Sequence, residues 1–419
     1  MTDPLAIRRT LRPDSPSWQR TSAALLHEHA QGEGPLCAYV YDLSALAARA
    51  RETRATLPGR CALYYAVKAN THPAVIAGLA PYVDGFEVAS LGEINKIIAV
   101  IDQPRLIFSG PAKTDQDIAA ALRVGGCLLN VESLHELRRV QLIAETLGVR
   151  VPVALRINPV GRTLSGTHQM VGVPTQFGID ETHATEAVLL THTLPNIAFH
   201  GFHFHAVSNN LDANAHARFV ARCLRWSLEM AARYGIDLTT VNVGGGIGID
   251  YDLTAHFDLA AFCAALDALL APQPEAIQVV FELGRWLVAA AGWYAAEIVD
   301  LKQNHGRFFA IIRGGTHHFR LPAAWRHSHP FAILPTVAWV YPFERPALRD
   351  VAIDVAGELC TPRDVLSSDT RIEQVRVGDI LVFPLAGAYG WEISHHDFLS
   401  HPHPVMLVVD TDSPVGRHG

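Results

Sequence analysis

Residues 63–88 read LYYAVKANTHPAVIAGLAPYVDGFEV, which is a short apolar run, a helical stretch and a second apolar run. The same unit repeats along the chain. Eight runs of this kind alternate with helical patterns: Leu63–Val67, Gly85–Val88, Leu106–Ser109, Cys127–Val131, Val153–Ile157, Ile197–His205, Thr239–Val243 and Val279–Glu282. Strands that alternate with helices indicate a parallel sheet. Eight of them predict a closed (β/α)8 barrel in an α/β protein, with an open, doubly wound sheet as the alternative.

After about residue 295 the apolar runs are separated by Pro and Gly turns instead of helices. They are Glu297–Leu301, Phe308–Ile312, Val351–Ala356, Ile380–Pro384 and Val405–Val409. This pattern predicts a mostly antiparallel β domain. The early run Cys37–Tyr41 precedes the first helix pattern, Leu43–Ala55, and is expected to join that domain. We therefore predict an N-terminal segment (1–42) that contributes to the β domain, a barrel (43–295) and the β domain itself (296–419).

Composition limits the possible partners. Of 419 residues, 49% are hydrophobic and 18% charged, which is enough apolar material for a large core. The formal net charge is −7 and no basic block stands out, so we expect no nucleic acid and no membrane surface as partner. The six cysteines lack C-x-x-C spacing, which indicates a reducing cytoplasm and mostly buried thiols. No run reads as a signal peptide or a membrane span, so a cytoplasmic protein is expected.

Polar residues and glycines collect where the predicted strands end, which is the edge that carries the active site in these barrels. They are Lys68, Glu87, Ser90, Ser109, Glu132, Arg156, Asn158, His203, His205, Gly244–Gly246, Glu282 and Arg285. This edge is the predicted active site.

Lys68 closes an apolar strand, where partial desolvation favours the neutral amine that imine formation requires. The alternative is a lysine that extends from a strand end to solvent. Three glycines, Gly244-Gly245-Gly246, follow another strand and let backbone N–H groups approach a phosphate, although a tight turn explains them equally well.

His203 and His205 share one face of their strand. The pair could bind a metal together with Glu132 or Glu282, stack on an aromatic ring, or fill the barrel; we expect no metal. The histidines near the C-terminus are spaced irregularly and are expected to be solvated or to face the substrate. Glu282 either pairs with Arg285 alone or keeps a pyridine nitrogen protonated.

Together these residues resemble the fold-type III pyridoxal-phosphate decarboxylases, the group that includes diaminopimelate, ornithine and arginine decarboxylases. The resemblance runs from about Ala38 to about Val409. Its motifs are Tyr65-Ala-Val-Lys68, Gly85-Phe-Glu-Val-Ala-Ser90, Phe177-Gly-Ile179, His203-Phe-His205 with Ser208, Gly244–Gly246, Glu282-Leu-Gly-Arg285, Gly357-Glu-Leu-Cys360 and Gly387-Ala-Tyr-Gly390. The resemblance implies an alanine-racemase-like barrel, pyridoxal 5'-phosphate as cofactor and a homodimer with shared active sites.

The resemblance also implies the role of each residue. Lys68 binds the cofactor as a Schiff base and moves protons, His205 stacks on its ring, and Glu282 pairs with the pyridinium. Cys360 reaches in from the second subunit and returns a proton to the carbon that loses carbon dioxide. The phosphate is held by Ser208, Gly244, Gly245, Gly246, Arg285 and Tyr389. Glu87, Arg156 and Gly284 complete the predicted cofactor site.

Glu282 bears on the reaction. The related alanine racemases have an arginine at the ring nitrogen, which weakens the electron sink, whereas a carboxylate favours decarboxylation. An amino-acid racemase is one alternative. A cofactor carrier without turnover is another, but such small barrel proteins lack the second β domain that holds Cys360 and Tyr389.

Thr361 bears on the substrate. Ornithine- and diaminopimelate-type enzymes carry an acidic residue directly after the cysteine, where it meets the far amine of the substrate. The neutral Thr361 argues against a simple diamino acid. Arg320 and His318, with Arg363 or Asp364, are predicted substrate contacts and suggest a far end that is acylated or anionic. The chain looks most like the siderophore-pathway branch, of the staphyloferrin B type that decarboxylates a citryl-diaminopropionate intermediate. The alternative is a diaminopimelate or other diamino-acid decarboxylase.

Overall fold

The structure is a computed structural model that describes residues 15–161, 164–166, 168–411 and 416–417. It divides into two compact units. Among the described residues, the first holds 49–249 and 256–287, and the second holds 15–48, the loop 250–255 and the chain from residue 288 onward. The predicted contribution of residues 1–14 to the β domain lies outside the described residues.

Strands and helices are numbered separately, in chain order. The strands are β1 (Cys37–Asp42), β2 (Cys61–Ala66), β3 (Gly85–Val88), β4 (Leu106–Phe108), β5 (Cys127–Val131), β6 (Val151–Asn158), β7 (His168–Gln169), β8 (Ile179–Asp180), β9 (Ile197–His203), β10 (Val207–Ser208), β11 (Thr240–Gly244), β12 (Gln278–Leu283), β13 (Gly292–Asn304), β14 (Arg307–Ile312), β15 (Ala332–Leu334), β16 (Ala347–Ala356), β17 (Val365–Arg376), β18 (Ile380–Phe383), β19 (Val405–Val409) and β20 (Gly416–Arg417). The helices are α1 (Pro16–Gln31), α2 (Leu43–Thr56), α3 (Pro73–Leu79), α4 (Leu91–Ile98), α5 (Asp115–Val124), α6 (Leu134–Leu147), α7 (Ala184–Thr191), α8 (Ala213–Tyr234), α9 (Leu259–Leu270), α10 (Arg285–Val288) and α11 (Leu321–Trp325).

The first unit is a closed barrel of eight parallel strands. Their order is β5-β4-β3-β2-β12-β11-β9-β6, and β6 pairs with β5 to complete the circle. Each of the eight predicted runs lies on one of these strands, and helices alternate with them. The predicted (β/α)8 barrel is therefore confirmed, and the open sheet is excluded by the pairing of β5 with β6.

Polar residues after the barrel strands also begin helices. The Ser90 hydroxyl accepts a hydrogen bond from Glu93 N at 3.2 Å, and Ser133 accepts one from Glu136 N at 3.0 Å. Such side chains satisfy the free N–H groups of a first helical turn. Ser90, counted among the polar residues of the barrel rim, therefore has a capping role.

The second unit is built on a mostly antiparallel sheet with the order β17-β16-β14-β13-β1-β19-β20, and β18 joins β13 to β15. The parallel exceptions are β1 with β19 and β14 with β16. The predicted, mostly antiparallel β domain is confirmed. The run Cys37–Tyr41 lies on β1, which pairs with β13 and β19. After the barrel, the first strand of this sheet, β13, begins at Gly292, whereas the sequence pattern changes at about residue 295.

Five of the six cysteines are buried, and Cys360 is exposed. Burial raises the pKa of Cys37, Cys61, Cys127 and Cys263 to about 12, so these thiols stay protonated. Within the described residues, no helix is both long and apolar enough to cross a membrane.

The expectation that the C-terminal histidines are solvated or face the substrate is wrong for three of them: His317, His318 and His329 are fully buried. Burial lowers the pKa of His318 to about 2 and that of His329 to about 3. Both rings are therefore neutral parts of the core. The irregular spacing of these residues gave no sign of which ones the fold encloses.

Candidate active site

Lys68 lies in a single helical turn, Val67–Ala69, directly after the buried strand β2. Its Nζ is 2.9 and 2.7 Å from the two carboxylate oxygens of Glu87 on the neighbouring strand β3. The Lys68 side chain is 39% exposed, whereas Glu87 is fully buried. Burial raises the pKa of Glu87 to about 7, although Lys68 opposes this shift. An amine at the barrel mouth is thus paired with a carboxyl group that can exchange protons near neutral pH.

Glu282, at the end of β12, is buried and held by neutral donors. Its Oε1 accepts hydrogen bonds from Asn242 Nδ2 at 2.7 Å and Asn130 Nδ2 at 3.2 Å. His203 Nε2 lies 3.5 Å from its Oε2. Burial alone raises the pKa of Glu282, but His203, Lys68 and Asn242 together hold it below its usual value. The barrel mouth therefore contains a carboxylate that stays ionised.

Asn130 and Asn242 were not predicted as site residues. Each is fully buried within a barrel strand. A buried amide needs hydrogen-bond partners. An asparagine inside an apolar run, such as Cys127-Leu-Leu-Asn-Val131, therefore indicates a polar contact within the barrel. The partner itself, Glu282, could not be inferred from the run.

The turn Gly244–Gly246 leaves no room for side chains. Gly244 and Gly246 have φ values of 67° and 101°, in the left-handed region that glycine alone adopts readily. A Cβ on Gly244 would lie 2.6 Å from His205 Nδ1, and one on Gly246 would lie 2.7 Å from the Val207 carbonyl oxygen. Both backbone conformation and close packing therefore require glycine at these positions.

His205 packs against this turn and accepts a hydrogen bond at Nδ1 from Gly245 N, 3.2 Å away. Burial, with the charges of Arg156 and Lys68, lowers its pKa well below the usual value. The imidazole is therefore neutral at physiological pH, as a ring that stacks on an aromatic ligand should be.

Arg156, a predicted cofactor contact, donates from Nη1 to Glu132 Oε1 at 2.8 Å. Glu132 also accepts hydrogen bonds from Gly110 N and Gly178 N. Burial raises the pKa of Glu132, but Arg156 and Lys113 lower it below its usual value. This ion pair connects β6 to the end of β5, so Arg156 stabilises the barrel mouth.

Of the other predicted cofactor residues, Gly284 and Arg285 directly follow the barrel strand β12. Gly284 allows β12 to end close to the Lys68 turn, because a Cβ there would lie 2.8 Å from Ala69 Cβ. Arg285 is buried at the start of α10. Ser208 is half-buried on β10, whose partner strand is β7. Tyr389 belongs to the second unit, where it lies in the turn 387–390 with a φ of 54°.

Cys360 follows β16 on an exposed turn of the second unit. Beside it is an open cavity of about 980 Å³ whose lining includes the predicted substrate residues Arg320 and Thr361. The predicted Arg363 also lines it, as do His327 and His395, which were expected to be solvated or to face the substrate. Arg326 and Ser328 line it too and were not predicted. No Asp or Glu of the described chain lines the cavity.

Two predicted substrate residues do not line this cavity. Asp364 is 2% exposed, and its carboxylate accepts hydrogen bonds from Thr316 and Leu359. His318 is buried with its Nδ1 3.5 Å from Cys37 Sγ. Both side chains are enclosed within the second unit because its own backbone and core supply their partners. We therefore correct the prediction and leave both out of the substrate contacts.

Several buried polar atoms at the barrel mouth have no hydrogen-bond partner among the described residues: Asn130 Oδ1, Arg156 Nε and His203 Nδ1. Buried polar groups are seldom left unsatisfied, so a polar ligand belongs here. An aldehyde suits Lys68, a basic ring nitrogen suits the ionised Glu282, and a phosphate suits the glycine turn. That combination defines the class of (β/α)8 enzymes that use pyridoxal phosphate. No group of three His, Cys, Asp or Glu side chains arranged to hold a metal occurs within the described residues.

Comparison with known proteins identifies the family. Residues 43–289 match the pyridoxal-binding domain of the pyridoxal-dependent decarboxylases, and the chain belongs to this family. It is 41% identical over 375 residues to 2-[(L-alanin-3-ylcarbamoyl)methyl]-2-hydroxybutanedioate decarboxylase of Staphylococcus aureus, covering 89% of this chain and 94% of that protein. It is 28% identical to L-glutamyl-[BtrI acyl-carrier protein] decarboxylase of Niallia circulans, covering 88% of each.

The fold is also that of a solved decarboxylase. Diaminopimelate decarboxylase from Helicobacter pylori, in complex with L-lysine, superposes with a TM-score of 0.82 at 25% identity, covering 93% of this chain and 95% of that one. The chain is thus a pyridoxal-phosphate-dependent decarboxylase with the predicted two-part fold.

Proposed function

We propose that this decarboxylase acts on a citryl-diaminopropionate-type intermediate of siderophore biosynthesis. The observation that carries the proposal is the cavity next to Cys360, which is lined by three arginines and by no acidic residue of the described chain. The substrate for which the Staphylococcus aureus relative is named bears two carboxylates and a hydroxyl group, joined through an amide to the amino-acid end. Arginine pairs with such carboxylates through two parallel hydrogen bonds.

The guanidinium groups of Arg320, Arg326 and Arg363 make no hydrogen bond or ion pair within the described part of the chain. All three residues are exposed, so they are available to an anionic ligand. Diaminopimelate, the main alternative, carries both a carboxylate and an ammonium group at its far end. The arginines fit the carboxylate, but the ammonium group needs an acidic partner that the described lining does not provide. The cavity therefore favours a polycarboxylate end over a diamino acid.

Pyridoxal phosphate, when bound, supplies the electron sink that makes loss of carbon dioxide feasible. Lys68 would supply the amine that holds the cofactor, and the Glu87 carboxyl group would exchange a proton with that amine. The ionised Glu282 would pair with the ring nitrogen. Ser208, Arg285, Tyr389 and the turn Gly244–Gly246 would hold the phosphate, and the neutral His205 would contact the ring.

We further propose a homodimer in which Cys360 and the arginine cavity of one subunit complete the barrel site of the other. The exposed position of Cys360 supports this proposal, since five other cysteines are buried and unreactive. Cys360 then delivers a proton to the carbon that has lost carbon dioxide. A cytoplasmic location remains a prediction from the sequence.

We expect Arg363→Ala and Arg326→Ala each to raise KM for the citryl compound by about tenfold or more, because one charge-assisted hydrogen bond contributes roughly 1.5–3 kcal/mol. The kcat should change much less, since neither side chain touches the reacting carbon. Steady-state kinetics on the holoenzyme measures both values.

Arg349→Ala is the matched control, because Arg349 is an exposed arginine of the same unit that does not line the cavity. Its KM should equal that of the parent enzyme, and Arg363→Lys should recover part of the lost affinity. Unchanged KM values in both cavity variants would rule out the cavity as the binding site for the polycarboxylate end.

A further inference from the structure

The turn that presents Cys360, residues 357–364, is closed by its own backbone. Gly357 N donates a hydrogen bond to the carbonyl oxygen of Asp364 at 2.9 Å, and Asp364 N donates to the Thr361 carbonyl at 3.2 Å. Cys360 itself is exposed at the outer side of this turn. The residues that fix the turn thus control where the thiol lies.

The buried carboxylate of Asp364 ties this turn to a second segment. Its Oδ1 accepts hydrogen bonds from the backbone N and the hydroxyl of Thr316, at 2.6 and 2.7 Å. Its Oδ2 accepts one from Leu359 N at 2.8 Å. Leu359 directly precedes Cys360, so the carboxylate restrains the backbone next to the thiol.

Two glycines leave the space that the carboxylate fills. A Cβ on Gly315 would lie 2.6 Å from both oxygens of Asp364, and a Cβ on Gly357 would be closer still. Gly314 and Glu358 add two more bonds between the same segments: Glu358 N to the Gly314 carbonyl at 2.9 Å, and Gly314 N to Glu358 Oε1 at 3.0 Å. The two segments therefore form one pocket, shaped around an acceptor with two oxygens.

We propose that Asp364 is a positioning residue for the Cys360 thiol and makes no contact with the substrate. This inference rests on the proposed role of Cys360 as proton donor. A carboxylate fits the pocket best, because the backbone N–H groups of Thr316 and Leu359, one at each oxygen, can only donate. An asparagine at this position has to turn its NH2 group towards one of these backbone N–H groups. Two donors cannot form a hydrogen bond, so the bond to either Leu359 N or Thr316 N is lost.

The test compares holoenzymes of the parent, Asp364→Asn and Asp364→Ala. The first readout is the rate at which a thiol reagent labels Cys360, with Cys360→Ser as the background. It needs no substrate, and the other cysteines are buried. The second readout is kcat, together with the amine yield, which is the amount of amine product formed per carbon dioxide released. The visible spectrum and the melting temperature are recorded for every variant.

Asp379→Asn serves as the control. Asp379 is also 2% exposed in the second unit and accepts hydrogen bonds from Thr336 N and Arg376 N, away from the Cys360 turn. It should lower the melting temperature while leaving the labelling rate and the amine yield unchanged.

For Asp364→Asn we expect labelling of Cys360 to be several-fold faster and kcat to fall about tenfold, as the loss of one bond to a charged group implies. The amine yield should fall too, with the bound cofactor unchanged, and Asp364→Ala should show larger effects. Parental labelling and amine yield in both Asp364 variants would overturn the positioning role. If the parent itself does not turn over the citryl compound, the proposed function fails, whereas the labelling rates still decide the role of Asp364.

Discussion

Lys68→Ala should reduce kcat/KM by at least about a thousandfold, because the Lys68 amine is the only group proposed to bind the cofactor covalently and nucleophilic catalysis is lost with it. The visible absorption band of lysine-bound pyridoxal phosphate should disappear as well. Neighbouring groups offer no substitute, since Glu87 is acidic and its pairing partner is Lys68 itself. Absorption spectra and carbon dioxide release from the purified variant measure both effects.

The chain has four lysines, Lys68, Lys96, Lys113 and Lys302, which makes the assignment unusually easy to check. Borohydride reduction followed by peptide mass analysis should place the cofactor on Lys68. Lys96→Ala is the matched control, because Lys96 is a surface lysine of the same unit that bonds to Thr71. A reduced cofactor on any lysine other than Lys68 contradicts the proposed site.

Cys360→Ala should bind the cofactor normally but lose about a hundredfold in kcat, in the range expected for a missing general acid. Carbon dioxide release should also exceed amine production, because the carbon is no longer protonated at the correct position. Product mass and carbon dioxide measured in the same reaction give this ratio. A parental kcat with a matched amine yield would exclude Cys360 as the proton donor.

The same variant tests the shared active site. When Lys68→Ala and Cys360→Ala subunits exchange, about half of the dimers are hybrids with one intact site each, so about a quarter of the parental activity should return. Subunit exchange is verified independently by mass spectrometry. Exchange without recovered activity would show that Lys68 and Cys360 do not act across the subunit interface.

The barrel could be predicted from the sequence because its signal is local. Each strand, such as Gly85–Val88, is a short apolar run, and the polar residue that follows lies at the same rim as the others. Lys68, Glu87, His205 and Glu282 could be assigned to one site on that basis. Strand β17 was missed, since its exposed face is polar and the residues Ser367-Ser-Asp-Thr370 interrupt the apolar pattern.

The remaining errors concern contacts between distant segments. Asp364 follows Cys360 by four residues, but its carboxylate bonds to Thr316, 48 positions earlier. In the same way Asn130 bonds to Glu282 across 152 positions. Contacts over such sequence separations produce no periodic pattern in the sequence. Asp364 was therefore assigned to the substrate because it lies near Cys360, although the fold buries it. Arg326 and His327 line the cavity because of the path of the segment after β14, which the sequence pattern did not show.

The most direct test of the proposed function is a comparison of kcat/KM for the citryl-diaminopropionate compound and for meso-diaminopimelate, on one preparation of holoenzyme with product mass recorded. Ornithine, lysine and diaminobutyrate complete the panel. We predict turnover of the citryl compound, with the mass loss of one carbon dioxide, and little or none of the diamino acids. Efficient turnover of diaminopimelate without turnover of the citryl compound would contradict the proposal, and would mean that the arginine cavity does not select the substrate.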